Sequence, residues 1–273
     1  MSVLGRRSRI EIKTAEQLRH MRAAGLVVAG ALARTAQMVA PGVTTGQLDA
    51  AAAQFIADAG ARSNFKGYHG FPGVICTSVN DEVVHGIPGS RVLREGDLIS
   101  IDCGAIVEGW HGDAAITVPV GEVAPELLAL SQATEQALWA GIARALVGGR
   151  LSDIGAGCQA AVGGRYGIVA DYVGHGIGSS MHMEPSVPHV GPAGRGPHLR
   201  AGMALAIEPM VTLGSPEVTV LSDDWTVVTV DGSVAAHWEH SVALTDSGPV
   251  VLTAPDGGAQ GLAEWGVTIG SVP

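Results

Sequence analysis

At 273 residues, with 47% hydrophobic and only 15% charged residues, the chain has apolar material for one large core or two small ones, which excludes a disordered or fibrous protein. A formal net charge of −10 argues against a nucleic-acid groove as the main surface, and Arg6, Arg7 and Arg9 make only a small basic patch. Three widely spaced cysteines (Cys76, Cys103, Cys158), no CxxC pair, no signal-peptide core and no apolar run of about 18 residues lead to the expectation of a cytoplasmic protein without membrane spans.

Taken in chain order, Thr14 with Gln17 reads as a capping box, and Leu18, Met21, Gly25, Val28, Leu32 and Val39 follow at helical steps until Pro41-Gly42. Thr44 with Gln47 opens a second helix through Leu48 and Phe55, with Gly60 as its C-cap. A Gly/Pro loop then carries Tyr68, His69 and Phe71, a short strand covers 74–79, and His85 follows; this cluster of rings is a candidate pocket wall.

Residues 98–107 and 114–118 read as strands around a Glu108-Gly109 turn. That turn places Val107 opposite Trp110 and Asp102 opposite Ala115, which makes Asp113 the diagonal neighbour of Asp102 on one face, roughly 7–8 Å away. Two such carboxylates can share a pair of metal ions about 3.5–4 Å apart, or can simply sit on a solvated face.

From Pro125 the helical pattern returns through Leu128, Leu138, Ile142 and Leu146 to Gly148-Gly149, and Ser152 is expected to cap a further helix ending near Gly163-Gly164. Two helices followed by strands therefore occur twice, which predicts two similar halves in an α+β arrangement with a site where the sheets meet. His175 lies between two glycines, and His182 follows seven residues later. His189 and His198 fall in or beside a Pro/Gly-rich stretch and are expected to be solvated. Residues 203–207 form an apolar strand that delivers Glu208 just before Pro209. A hairpin is predicted from 218–221 and 225–230. The strand 236–244 places His237, Glu239 and Ser241 on one face. Residues 254–273 are Gly-rich and read as a loosely docked tail with Trp265 as a possible anchor.

Asp102, Asp113, Glu208 and Glu239, with the imidazole of His175, thus lie on or beside apolar strands. Four carboxylates brought together cannot all ionise, whereas two divalent ions cancel four charges and a neutral His adds none. Oxygen-rich ligation with one nitrogen and no thiolate suits Mn, Co or Fe(II), and Zn also fits.

Residues 76–88, Ile101-Asp102 with His111-Gly112-Asp113, 174–178, 207–210 and 238–240 resemble the motifs of type I methionine aminopeptidases, in order and over nearly the whole chain. The resemblance implies the α/β (α+β) pita-bread fold: two pseudosymmetric halves with antiparallel sheets covered by helices, in one catalytic domain over 11–253 after a short extension 1–10 and before the tail 254–273. It implies removal of the initiator methionine from nascent polypeptide N-termini with a small second residue, by a monomer that works near the ribosome, with two divalent ions and a water between them as nucleophile. Carried over by position, Asp113 and Glu239 bridge the ions, Asp102 chelates one, and His175 and Glu208 complete the other. Glu208 also acts as proton shuttle, His182 donates to the developing oxyanion and His85 contacts the scissile amide. The methionine slot is expected from Tyr68, His69, Phe71, Cys76, Met181 and Trp225, with Met181 where the resemblance leads one to expect an aromatic ring. The chain has no room between Glu208 and Glu239 for the large insert of type II relatives, which favours a short bacterial-type enzyme. An Xaa-Pro peptidase of the same fold and a non-catalytic peptide-binding module are the competing readings; the second would have lost metal ligands, and all five are present.

Overall fold

A computed structural model describes residues 10–272, so Arg6, Arg7 and Arg9 lie outside the described residues. The first half contains α1 (Ala15–Ala36), α2 (Thr45–Asp58), β1 (Arg62–Ser63), β2 (Ile75–Val79), β3 (Glu82–Val84), β4 (Leu98–Val107) and β5 (Trp110–Pro119). The second half opens with α3 (Pro125–Arg144) and α4 (Ser152–Val162). It continues through β6 (Gly167–Ile168), β7 (Gly174–Gly176), β8 (Met183–Val187), β9 (Ala204–Ile207) and β10 (Met210–Thr212). It ends with β11 (Val218–Val220), β12 (Val227–Thr229), β13 (Ala235–His237), β14 (Glu239–Thr245), β15 (Gly248–Val251) and α5 (Ala259–Leu262).

Both capping boxes form. Thr14 Oγ1 accepts from the Gln17 backbone N–H while Gln17 returns its side-chain oxygen to the Thr14 N–H, and Thr44 with Gln47 repeats the device. This satisfies two orphan donors at each helix start. Helix α1 is shorter than its apolar pattern suggests, and α3 stops at Arg144 rather than at the Gly148-Gly149 pair. Gly60 lies just beyond the Ala59 cap in the left-handed region. Ser152 is not the cap of α4: Leu151 holds that position, and Ser152 Oγ instead accepts the Arg195 N–H from the neighbouring loop.

Among the described residues the main sheet has nine strands in the order β1-β4-β5-β14-β9-β7-β8, with β2 added beside β4 and β15 beside β14. All of its pairings are antiparallel. Helices α1 and α2 cover the first half through Val28, Leu32, Leu48 and Ile56 against Ile75, Ile99 and Ile101. Helices α3 and α4 cover the second half through Leu138, Ile142 and Ile154 against Leu205, Ile207 and Val242. The halves meet at β14, which pairs with β5 on one side and β9 on the other.

The predicted continuous strand 236–244 is broken at Trp238. Its first part, β13, joins a separate three-stranded sheet with β10 and β6. The neighbouring strand breaks at the same level, where Glu208-Pro209 separates β9 from β10. Proline has no N–H to give the ladder, so both strands leave the main sheet together. The Trp238 indole N–H donates to Ser131 Oγ on α3 at 3.1 Å.

The tail is not loosely docked over its described length. Leu262 is buried, and Val267 and Ile269 pack on the same second-half core. Arg22 on α1 gathers the carbonyls of Val251, Leu252, Ala254 and Pro255. Trp265 is 40% exposed and lines a groove with Ala140, Arg144, Ala160 and Ala161 of α3 and α4, and the small Gly261 lets the segment close onto the Trp139 ring.

Candidate metal and peptide site

The register of the sheet assembles the site. Cys76 on β2 pairs with Asp102 on β4, Asp102 with Ala115 on β5, and Ala115 with Glu239 on β14. Directly opposed residues project to the same face, so one row across four strands presents a thiol, a carboxylate, a methyl group and a second carboxylate. Asp113 is two residues from Ala115 and shares that face. His175 on β7 pairs with Ala206 on β9, two residues before Glu208, which brings the last two groups to the same side.

Asp113, at the edge of the β5–β14 pairing, is fixed by its backbone. Its N–H donates to Ser241 Oγ at 3.0 Å and its carbonyl accepts the same hydroxyl at 2.8 Å. One ligand atom each from Asp113, His175 and Glu239 lie within 4.8 Å of one another, as do one each from Glu208, His237 and Glu239. The buried Oδ1 atoms of Asp102 and Asp113 and Oε1 of Glu239 have no hydrogen-bond partner. Buried, unpartnered carboxylate oxygens are costly unless a cation answers them.

The protonation balance gives the same result. Burial pushes Asp102 up to about 7. Burial, reinforced by the surrounding carboxylates, drives Asp113, Glu208 and Glu239 well above the usual carboxylate range. His175 Nδ1 donates to the Gly176 carbonyl at 3.0 Å, since a carbonyl can only accept. Its Nε2 therefore carries a lone pair, aimed at Glu208 Oε1 3.5 Å away. Two lone pairs face each other there, an arrangement that a divalent cation resolves and that a neutral imidazole ligand requires. Burial holds His175 down to about 3, in keeping with the neutral form. The donor set fits divalent metal.

Of the other predicted residues, Tyr68, Phe71, Cys76, His85, Met181, His182 and Trp225 all line a cavity of about 160 Å³ that opens onto the carboxylates. His69 does not line it: it is exposed and stacks edge-on against Tyr68 at 4.4 Å. Trp225 comes from the second half. The Asp223 carboxylate accepts the Trp225 and Thr226 N–H groups at the tip of the β11–β12 hairpin, and β12 pairs with β3 of the first half. The ring thereby meets Phe71 edge to face, centroids 5.0 Å apart. Phe65, Tyr172 and Val173 also line the cavity; sequence reasoning missed them because no motif marks residues that contribute only a wall.

Tyr68 Oη lies 2.8 Å from His182 Nδ1, and the His182 ring stands across His175 at 4.4 Å. His85 sits in the left-handed region at φ 61, followed by Gly86, whose absent side chain lets the turn press against the Thr77 carbonyl. Its ring is held between Tyr172 and Trp225, and burial lowers it to about 4.

His189 corrects an expectation. It is 1% exposed, not solvated, and its Nε2 accepts the Glu208 backbone N–H at 3.0 Å, which supports the chain just where β9 ends. The nearby prolines and glycines suggested a surface loop, and only the closure of the loop onto β9 buries the ring. His198 is exposed, as expected.

A fold of two helix-covered antiparallel halves, with a buried cluster of carboxylates and imidazoles beside an apolar cavity, defines a metallopeptidase. The sequence model of metallopeptidase family M24 matches residues 19–246. Over 249 residues the chain is 54% identical to methionine aminopeptidase 1 of Mycobacterium tuberculosis, covering 88% of this chain and 94% of that protein. The structure resembles that of methionine aminopeptidase from Thermotoga maritima, with a TM-score of 0.88 and 40% identity over 90% of this chain and 99% of the other. Prolidase from Pyrococcus furiosus, at 19% identity and a TM-score of 0.71 over 89% of this chain and 65% of its own, shares the fold. The chain belongs to metallopeptidase family M24 and, within it, to the methionine aminopeptidases.

Proposed function

We propose that this chain hydrolyses the N-terminal methionine from peptides and nascent proteins with a small second residue, using two divalent cations (Co, Mn, Fe(II) or Zn) held by Asp102, Asp113, His175, Glu208 and Glu239. The observation that carries it is the row Cys76–Asp102–Ala115–Glu239, which places an apolar slot and buried, unpartnered carboxylates next to each other on one sheet face. Asp113 and Glu239 would be shared between the cations, Asp102 would belong to one, and His175 with Glu208 to the other. Cations bound there supply Lewis-acid polarisation of the scissile carbonyl and lower the pKa of water.

The chain's own groups do the rest. Phe65, Phe71, Cys76 and Met181 form a buried cluster with Tyr68 and Trp225 packed against it. An apolar cavity of ~150 Å³ accepts a molecule the size of benzene, so the space of about 160 Å³, which also takes in the carboxylate cluster, is of the size for one unbranched side chain such as that of methionine. Burial keeps the Cys76 thiol neutral, its pKa pushed well up, so the slot offers no charge. Tyr68, whose phenol is also held up by burial, donates to His182 Nδ1 and leaves the proton on Nε2, where it meets the carbonyl oxygen as negative charge grows. Glu208 takes the proton of the attacking water and passes it to the departing amine, and His85 contacts the scissile amide nitrogen.

Residues 11–253 form the catalytic unit, which acts as a cytoplasmic monomer on chains leaving the ribosome. Three free buried cysteines fit a reducing compartment. The test is a peptide panel with defined metals: Met-Ala-Ser peptides are cleaved with Mn or Co and Met-Leu peptides poorly. Cleavage of Xaa-Pro peptides in place of Met-Ala would replace this reading with the prolidase one.

A further inference from the structure

His237 is the residue the five-ligand scheme leaves over. It ends β13, paired with Met210, and is 1% exposed. Its backbone N–H donates to Thr117 Oγ1 at 3.0 Å, so the residue is locked against β5. Its Nε2 has no hydrogen-bond partner and lies 3.8 Å from Glu208 Oε2.

A buried imidazole nitrogen that served only packing would be expected to find a donor or acceptor. At 3.8 Å the carboxylate oxygen is beyond hydrogen-bond reach. Two donor atoms bound to one ion at about 2.0–2.2 Å are separated by roughly 3.0–3.6 Å for angles between a right angle and a trigonal one. The observed spacing closes onto a shared ion with a shift of a few tenths of an ångström. Glu208 stands between two imidazoles, with Oε1 facing His175 and Oε2 facing His237. Atoms of Glu208, His237 and Glu239 also form a close triangle, which shares Glu239 with that of Asp113, His175 and Glu239.

We propose that His237 is a sixth protein ligand, giving the cation held by Glu208 and Glu239 an imidazole nitrogen through Nε2. The proposal rests on the reading that this cluster binds divalent cations. A second nitrogen moves the donor set away from the oxygen-only preference of Mn and toward ions such as Co, Fe(II) and Zn. His237 therefore sets metal selectivity as well as affinity.

The test uses the full-length metal-free protein with His237→Gln and His237→Ala variants, each checked for retained fold by circular dichroism. Co(II) and Mn(II) are titrated calorimetrically and the visible spectrum of the Co(II) form is recorded. Co(II) affinity should fall at least about 10-fold in both variants, Mn(II) affinity should fall distinctly less, and the Co(II) bands should change position and intensity. Unchanged affinity and spectrum overturn the proposal. Equal weakening of both ions with an unchanged spectrum also overturns it, since His237 would then only prop Glu208. If neither variant folds, ring N–H resonances of ¹⁵N-histidine in the Co(II)-loaded wild type decide: two imidazoles with the large contact shifts of directly bound rings support the proposal and one overturns it. A wild-type protein that binds no cation would instead defeat the metal reading itself.

Discussion

Asp102 and Asp113 lie diagonally across the β4–β5 hairpin, Asp102 opposite Ala115 and Asp113 opposite Gly104, with only small side chains completing the square. Oδ1 of each is buried and without a hydrogen-bond partner, and the neighbouring Asp102 adds to the burial that pushes Asp113 well above the usual carboxylate range. Asp113→Asn should therefore have two opposite effects. Cation binding and kcat/KM should fall by more than about 100-fold, the upper end for loss of a mere outer-shell partner. The melting temperature of the metal-free protein at neutral pH should rise, because a neutral amide replaces a buried carboxyl that must take up a proton on folding or stay charged without a counter-charge. Metal analysis together with calorimetric melts checks both; a lower melting temperature would mean that the Asp113 carboxyl makes a stabilising contact that the amide cannot replace.

The metal-free protein should be most stable near pH 6.5–7. His85, His111, His175, His189, His237 and His240 are all held down to about 3 or 4, chiefly by burial. Their folded pKa values lie below the unfolded value near 6.5, so the unfolded chain binds more protons in acid and stability is lost as pH falls below about 6.5. The site carboxylates have the opposite sign. Their folded pKa values are raised, to about 7 for Asp102 and well above the usual carboxylate range for the other three. The folded chain then holds the extra protons, and stability is lost as pH rises through neutrality. Saturating Mn or Co should remove the alkaline decline and leave the acid one, because cations replace the protons on the carboxylates. Melting temperatures between pH 5 and 9, with and without metal, test it, and an apo protein that gains stability from pH 7 to 9 would contradict it.

His182→Ala should retain the wild-type metal content and lose turnover on the order of 10²-fold or more, the loss typical of an oxyanion donor. Tyr68→Phe should lose less, because it removes the group that fixes the imidazole tautomer and leaves the imidazole in place. Metal content that falls in step with activity in His182→Ala would reassign the residue as a ligand.

Gly112 marks where helix α1 presses on the site hairpin. A Cβ there would stand 2.8 Å from the Gly25 nitrogen and 3.0 Å from the Ala24 carbonyl carbon, both backbone atoms that cannot rotate away. Gly112→Ala should cost about 1–3 kcal/mol in denaturant unfolding. It should also weaken cation binding, since Asp113 is the next residue in the strand. Stability loss with intact metal affinity would show that the hairpin moves as a unit and leaves the ligands in register.

The local chemistry of this chain was legible along its length. Capping boxes at Thr14 and Thr44 and the Glu108-Gly109 turn depend on neighbours within a few residues, and once the turn is set, period-two alternation settles which face Asp102 and Asp113 share. The charge balance of four carboxylates and one imidazole also follows from composition along apolar strands. What the sequence could not decide depends on partners far away in the chain. The break at Trp238 arises because β13 leaves with β10, and this alone brings His237 to Glu208. Burial of His189 requires its loop to close on β9, and the docking of residues 254–272 requires Arg22 and Trp139 to meet them. Local pattern reports which face a residue shares with its neighbours; only the paired strands and packed helices determine what lies across from that face.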